Sequence, residues 1–252
     1  MDMDGVLWRG GQPLGDLPGR FKQIQALGWK TVLVTNNATR SVDVYLEKLR
    51  SFGVFLERWQ VISSGEALAY YLGNRFPKNT TLYVIGEQGL VSLLERQGFI
   101  IGEVNAQAVI ISLDRGLTYE KLRQGNRLVR AGAALIATNP DPSIPAPDGL
   151  EPGAGAILAA MQAASGVQAD IAGKPNPEIY RLAMERLETS PEETLVIGDR
   201  LETDIAGAQS LGCSTALVLS GVTSEEAARS WSPAPDLIAG DLGEVLKIAI
   251  EG

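Results

Sequence analysis

Asp2 and Asp4 stand one residue apart at the start of the chain, just before Gly5. On a strand, side chains at i and i+2 point to the same side. The pair would then converge on one point, where a hard cation and a phosphate could sit. Two bare carboxylates so close repel each other, so the pairing makes most sense around a bound metal. Three further segments carry matching chemistry. Thr35, Asn36 and Asn37 offer a hydroxyl and amides. Lys174, between Gly173 and Pro175, offers an ammonium on a constrained backbone, and Asp199 and Asp204 form a second carboxylate pair. Such a set suits phosphoryl transfer, in which catalysis is mostly positioning and charge stabilisation.

These side chains need strands to hold them. Short β-rich apolar runs at 31–34, 81–85, 108–113, 134–137, 170–172, 194–197 and 214–219 alternate with helical patterns at 18–27, 89–97, 119–130, 155–164, 177–187 and 203–211. Ser41 is placed to cap a further helix with Val42, Tyr45, Leu46 and Leu49 inward, ending at Gly53. The alternation predicts an α/β fold of parallel sheets with crossover helices. The four chemical segments then fall at carboxyl ends of strands, where open α/β sheets bind ligands. Polar or small breaks at 77–79 and 165–167 divide the chain into 1–77, 78–167 and 168–252. The middle block reads as a second α/β domain inserted into the first. Within it, the Pro-rich stretch 139–152 is a candidate substrate-facing loop. A parallel-sheet site should have an apolar strand leading into its catalytic residue, and here only Met1 precedes Asp2. The expectation is a native chain that continues upstream with several apolar residues. An intact mass beginning at Met1 would refute it.

Composition removes several classes. Of 252 residues, 45% are hydrophobic and 21% charged, ordinary values for a globular protein. Histidine is absent, so no Ser-His-Asp or Cys-His set can form, nor a histidine-based zinc site. The lone Cys213 cannot form an internal disulfide, which favours a reducing cytoplasm, and its Leu-Gly-Cys-Ser-Thr context suits a small buried residue. Net charge is −8 without a long basic run, which argues against nucleic acid. No apolar run is long enough to span a bilayer.

Asp2-Met-Asp4-Gly-Val, Thr35-Asn-Asn, Gly173-Lys-Pro and Gly198-Asp199-Arg-Leu-Glu-Thr-Asp204, in that order, resemble the four motifs of the haloacid dehalogenase (HAD) superfamily. The nearer resemblance is to subfamily IIA, the branch with p-nitrophenyl phosphatase, phosphoglycolate phosphatase and ribonucleotide monophosphatase. Asp-Gly-Val-Leu-Trp, Ala-Thr-Asn-Pro-Asp and Pro-Gly-Ala-Gly-Ala add to it. The resemblance implies a Rossmann-like core with a large α/β cap between the second and third motifs. It implies a Mg²⁺-dependent phosphatase acting on a small phosphorylated metabolite through an aspartyl-phosphate. Asp2 would be the nucleophile and a metal ligand. Asp4 would carry the leaving group's proton while its backbone carbonyl binds the metal. Thr35, Asn36 and Asn37 would hold the phosphoryl group, and Lys174 would neutralise it together with the nucleophile. Asp199 would complete the Mg²⁺ site, with Asp204 supporting it or Lys174. The branch also allows a homodimer through the cap.

Other patterns are weaker. Arg200 and Glu202 read as loop residues, and Gly153-Ala-Gly155 as a tight helix start rather than a dinucleotide loop. Asn139 and Asp141 read equally as leaving-group contacts and as an ordinary turn. Of four tryptophans only Trp8 lies near the motifs. A phosphotransferase on the same scaffold, or a phospho-ligand sensor without turnover, are the alternatives to a phosphatase.

Overall fold

Short apolar strands, each followed by a helix, join most directly in parallel. The computed structural model describes residues 1–37, 41–146 and 149–251. It falls into two compact units. One comprises Met1–Thr35, Val42–Ile62 and Lys174–Gly252, the other Asn36–Ser41 and Ser63–Gly173.

In the second unit a five-stranded parallel sheet runs in the order Asp170–Ile171, Ala134–Ala137, Ala108–Ile111, Thr81–Ile85, Ile100–Ile101. Every residue of Ala108–Ile111 is buried, as a parallel strand covered by helices on both faces requires. One apolar cluster gathers Leu68, Leu72, Leu82 and Ile110, and another Tyr83, Val109, Ile111 and Met161. The insertion expected over 78–167 lies within this unit, which also takes in the helix Ser64–Arg75. Its Leu68 and Leu72 belong to the same core as Leu82. The stretch 139–152 contains an antiparallel pair, Ser143–Ala146 with Gly149–Pro152. Pro147 and Asp148 of that stretch lie outside the described residues.

In the first unit the strands Leu195–Gly198, Ser214–Val218 and Leu237–Ala239 are parallel and adjacent in that order. Leu33–Thr35 pairs with Val61–Ser63. Met1 and Asp2 join the two sets. The Met1 ammonium donates to Val32 O at 3.0 Å, Val34 N–H donates to Met1 O at 2.8 Å, and Asp2 N–H donates to Ile197 O at 2.8 Å. The core beneath them includes Met3, Leu7, Leu33, Leu49, Ile197 and Leu246. Among the described residues no helix is long and apolar enough to cross a membrane.

Behind Met1 lies a cavity of about 470 Å³, bounded by Val32, Tyr180, Met184, Leu187 and Val196. Burial lowers the Met1 ammonium to about 6, and Lys174 pushes the same way. Beside Met1 the cavity is lined by 30–32 and 194–196. Joining Met1 to a short extended apolar segment would replace a desolvated charge with an amide and fill the space. The expected gain is about 1–2 kcal/mol, or roughly 3–6 °C in Tm at this chain length. Thermal melts against a Gly-Ser extension of equal length check this. No difference between the two would refute it.

Candidate active site

Parallel strands deliver their carboxyl ends to one edge of a sheet. Here Asp2 emerges between the strands that end at Thr35 and Gly198, and Asp199 follows the second directly. Lys174, only 4% exposed, sits among them. Its Nζ donates to Asp2 Oδ1 at 2.5 Å and to Asp204 Oδ1 at 2.6 Å, and reaches Val34 O at 3.4 Å. Lys174 opens the turn before the helix Pro177–Leu187, which Asn176 caps by accepting from Glu178 N–H, with Pro at its first position. An ammonium on so short and fixed a lead has little freedom to leave its partners.

Asp204 is delivered differently. The helix expected over 203–211 begins as a π-helical turn, Leu201–Ile205, and becomes α-helical over Ala206–Gln209. Widened turns of this kind frequently mark functional sites. Here the turn brings Asp204 back under the strand end, where Oδ2 accepts Arg200 N–H at 3.1 Å while Oδ1 takes Lys174. The Tyr180 hydroxyl donates to Thr203 O at 2.7 Å and also lies 3.1 Å from Asp204 O, bracing the turn.

Asp199 is braced by the loop after Ser214–Val218. Its Oδ2 accepts Val222 N–H at 2.9 Å and its backbone oxygen accepts Thr223 Oγ1 at 2.6 Å. Backbone approaches it closely on two sides. A Cβ on Gly5 would lie 2.4 Å from Asp199 Oδ2, and one on Gly221 only 1.9 Å from it. Gly5 also has φ +87°, a left-handed conformation that disfavours a side chain. The Gly after Asp4 is thus required by both backbone angle and space.

Ligand oxygens of Asp2, Asp199 and Asp204 lie within 4.8 Å of one another. Burial raises the Asp2 carboxyl to about 8 against the pull of Lys174, with Asp204 and Asp199 reinforcing it. Burial and Asp204 likewise raise Asp199 to about 6. Burial would lower Lys174, but the Asp2 and Asp204 carboxylates outweigh it and hold the ammonium well above its ordinary value. Three carboxylates around one ammonium are over-charged by two, which a divalent cation would balance. Asp204 already spends both oxygens on Lys174 and Arg200. Asp2 and Asp199 each keep one oxygen without a hydrogen-bond partner among the described residues. Hard carboxylate donors with that spare capacity fit Mg²⁺ or Ca²⁺.

The remaining predicted residues divide. Thr35 is buried at its strand end, one residue past the carbonyl that faces Lys174. Asp4 is exposed, and its Oδ1 accepts the Trp8 indole N–H at 2.7 Å. Asn36 and Asn37 fall in the second unit. Asn36 O accepts from Ser64 Oγ at 2.6 Å and Asn139 Nδ2 at 2.8 Å. Asn139 Oδ1 also accepts Asp141 N–H, so the structure gives Asn139 a turn-building role. Gly153 caps the helix Ala154–Ser165, as a tight helix start requires. Cys213 is buried against Met184.

Sequence reasoning missed Tyr180 and the loop Gly221, Val222, Thr223, and it placed Trp8 near the motifs without a role. The loop's position after a parallel strand was its one available signal. Tyr180 looked like any apolar helix-face residue, because its hydroxyl's targets are backbone oxygens brought close by folding.

Carboxylates that could hold a metal ion and a buried ammonium at the carboxyl edge of a parallel sheet mark an α/β enzyme. A family model described as haloacid dehalogenase-like hydrolase matches residues 1–100, and a HAD-hydrolase-like model matches residues 171–245. A 5'-nucleotidase of Bacillus subtilis is 35% identical over 226 residues, covering 90% of this chain and 88% of the relative. The solved p-nitrophenyl phosphatase from Archaeoglobus fulgidus superposes with a TM-score of 0.90 at 31% identity, over 98% of this chain and 97% of that one. The glycerol phosphate phosphatase from Mycobacterium tuberculosis, solved in complex with magnesium, superposes with a TM-score of 0.89 at 31% identity, over 97% and 74%. The chain belongs to the haloacid dehalogenase-like hydrolase family.

Proposed function

We propose that this chain is a Mg²⁺-dependent phosphatase that hydrolyses small phosphate monoesters through an aspartyl-phosphate on Asp2. The observation that carries this reading is Lys174 Nζ bridging Asp2 and Asp204, with Asp199 in the same cluster. Relatives named as a 5'-nucleotidase, a p-nitrophenyl phosphatase and a glycerol phosphate phosphatase support the substrate class.

Asp2 and Asp199 would hold Mg²⁺ through side chains and Asp4 through its backbone carbonyl, with Asp204 anchoring Lys174. When bound, the cation would neutralise the phosphoryl oxygens and the crowded carboxylates. Asp2 attacks phosphorus through a carboxylate oxygen. The new Asp–O–P bond forms as the ester P–O bond breaks, and Asp4 gives its proton to the departing alkoxide. In the second step Asp4 takes a proton from water, whose oxygen attacks phosphorus. The Asp–O–P bond breaks, releasing inorganic phosphate and restoring Asp2. Lys174 holds Asp2 in place and offsets negative charge on the phosphoryl group throughout, while Thr35 binds its oxygens. The proposed setting is the cytoplasm, with a small phosphorylated metabolite as ligand and neither nucleic acid nor membrane as partner. A homodimer through the inserted domain belongs to the same reading.

The expected assay result is p-nitrophenyl phosphate hydrolysis with Mg²⁺ and its loss with EDTA. Burial favours a proton on Asp2 up to about pH 8. Mg²⁺ must displace it, so apparent Mg²⁺ affinity is expected to rise between pH 6 and 8 by up to roughly tenfold per unit. Titration of metal-free protein by calorimetry, in buffers of different ionisation enthalpy, reads that proton release. Phosphate-ester binding without turnover in Mg²⁺ would replace the phosphatase by a sensor.

A further inference from the structure

We propose that Trp8 is a positioning residue for Asp4: its indole N–H holds Oδ1 and so aims Oδ2 at the oxygen of the leaving group. This rests on the phosphatase reading and adds a residue to it.

Trp8 is wholly buried, although its neighbour Arg9 is exposed. The Nε1–H donates to Asp4 Oδ1 at 2.7 Å, a short charge-assisted bond. The backbone joins the same two residues. Gly5 N–H donates to Trp8 O at 2.8 Å, Trp8 N–H donates to Met3 O at 3.3 Å, and Asp4 and Trp8 form a β-bridge. The indole is itself clamped. Lys48 Nζ stands 3.9 Å from the Trp8 ring centroid, and the Phe52 ring packs at 6.1 Å, tilted by 48°. Trp8 therefore cannot swing away from the carboxylate.

Asp4 needs that clamp. It is exposed, and the indole is its one side-chain hydrogen-bond partner among the described residues. An exposed aspartate otherwise samples several χ1 wells and a broad χ2. Proton transfer to a leaving oxygen needs one carboxylate oxygen within hydrogen-bond reach of it. Indole is a donor with no acceptor and does not exchange protons in this range, so it can orient the carboxylate without competing for its proton. Tyr or His at position 8 would lack that property, and Phe would fill most of the space without a donor.

A merely structural Trp8 would affect all substrates alike. A positioning Trp8 matters most where the leaving group needs a proton. An alkyl phosphate leaves as a strongly basic alkoxide, whereas p-nitrophenyl phosphate leaves as a stable phenolate. Rapid-quench measurement of the first step with Mg²⁺ separates the two. In Trp8→Phe, the phosphorylation rate with glycerol phosphate is expected to fall about tenfold, and that with p-nitrophenyl phosphate less than about twofold, KM being little changed. In the Asp4→Asn background, Trp8→Phe should leave that rate ratio unchanged, because the group it aims is gone. Should Trp8→Phe fail to fold, β-(3-benzothienyl)alanine at position 8 keeps the indole's shape with sulfur in place of N–H, and the same ratio shift is expected. Equal losses on both substrates, or none, overturn the positioning role. If Asp4→Asn itself leaves the ratio unmoved, the proton-transfer reading fails instead.

Discussion

Asp2→Asn is expected to lower kcat for phosphate-ester hydrolysis by about 10⁴-fold or more, some 5.5 kcal/mol of barrier. The substitution is nearly isosteric, so what it removes is chemical. A carboxylate oxygen can become an acyl phosphate, whereas a carboxamide oxygen is a poor nucleophile. The amide also presents Lys174 Nζ with a neutral oxygen, or with an NH₂ that cannot accept its hydrogen bond. The fold should tolerate the change. Burial raises Asp2 from 3.8 to about 8 in the folded chain, so the folded state holds a proton that the unfolded chain has lost over that range. This group's contribution to stability without metal therefore falls as pH rises from about 4 to about 8. Asparagine has no such titration. Urea melts of metal-free protein should show Asp2→Asn less sensitive to pH than wild type across that window, with turnover gone. Retained turnover would remove Asp2 from the nucleophile's place. Lost turnover together with a collapsed fold at every pH would point to a structural role.

How legible the molecule was depends on where each signal resides. The helices Tyr119–Arg130 and Pro177–Leu187 have the bounds their sequence predicts, because their stop and start signals are local. Thr118 accepts from Lys121 N–H, and Asn176 with Pro177 makes the other start. The strand Thr81–Ile85 is equally plain, with an unbroken apolar run between polar breaks. The helix Ser64–Arg75 was not legible. Gly65 and Gly73 interrupt it, and Gly65, Ala67, Leu68, Ala69 and Leu72 are all buried, so no clean one-sided stripe marks it. The π-turn at Leu201–Ile205 depends on Tyr180 and Lys174, neither of them a neighbour in sequence. The same division holds at the site. Lys174 and Asp199 were legible because charged residues beside Gly or Pro at strand ends stand out, and Asp2 and Asp204 because each pairs in sequence with a second carboxylate, Asp4 and Asp199. The donors that brace Asp199 were not, since Val222 acts through its backbone and any residue carries an N–H.

Lys174→Met should be the most destabilising single change in the cluster, and it should also cost at least about 10³-fold in kcat. Methionine matches the stem of lysine but leaves Asp2 and Asp204 facing each other in a site where Asp204 is only 1% exposed. Removing one member of a buried ion pair typically costs about 3–5 kcal/mol, because the partner's charge stays desolvated. The pH dependence identifies the cause. In wild type the lysine's folded value lies well above the ordinary 10.5, so its contribution is fully present at lower pH and is lost only as pH rises through that folded value. In the variant Asp2 loses the lysine's pull against burial, is pushed further upward and stays protonated in the fold, so stability declines as pH rises toward 8. The gap between variant and wild type, read from urea midpoints without metal, should therefore be wide at pH 8 and narrow toward pH 4. Equal midpoints at pH 8 would refute the account. Mg²⁺ should restore much of the lost stability by supplying positive charge beside Asp2 and Asp199. It should not restore turnover, because it leaves the nucleophile without the donor that holds Oδ1 in place. Stability that recovers with metal while activity does not would separate the charge that lets this cluster exist from the contact that lets it react.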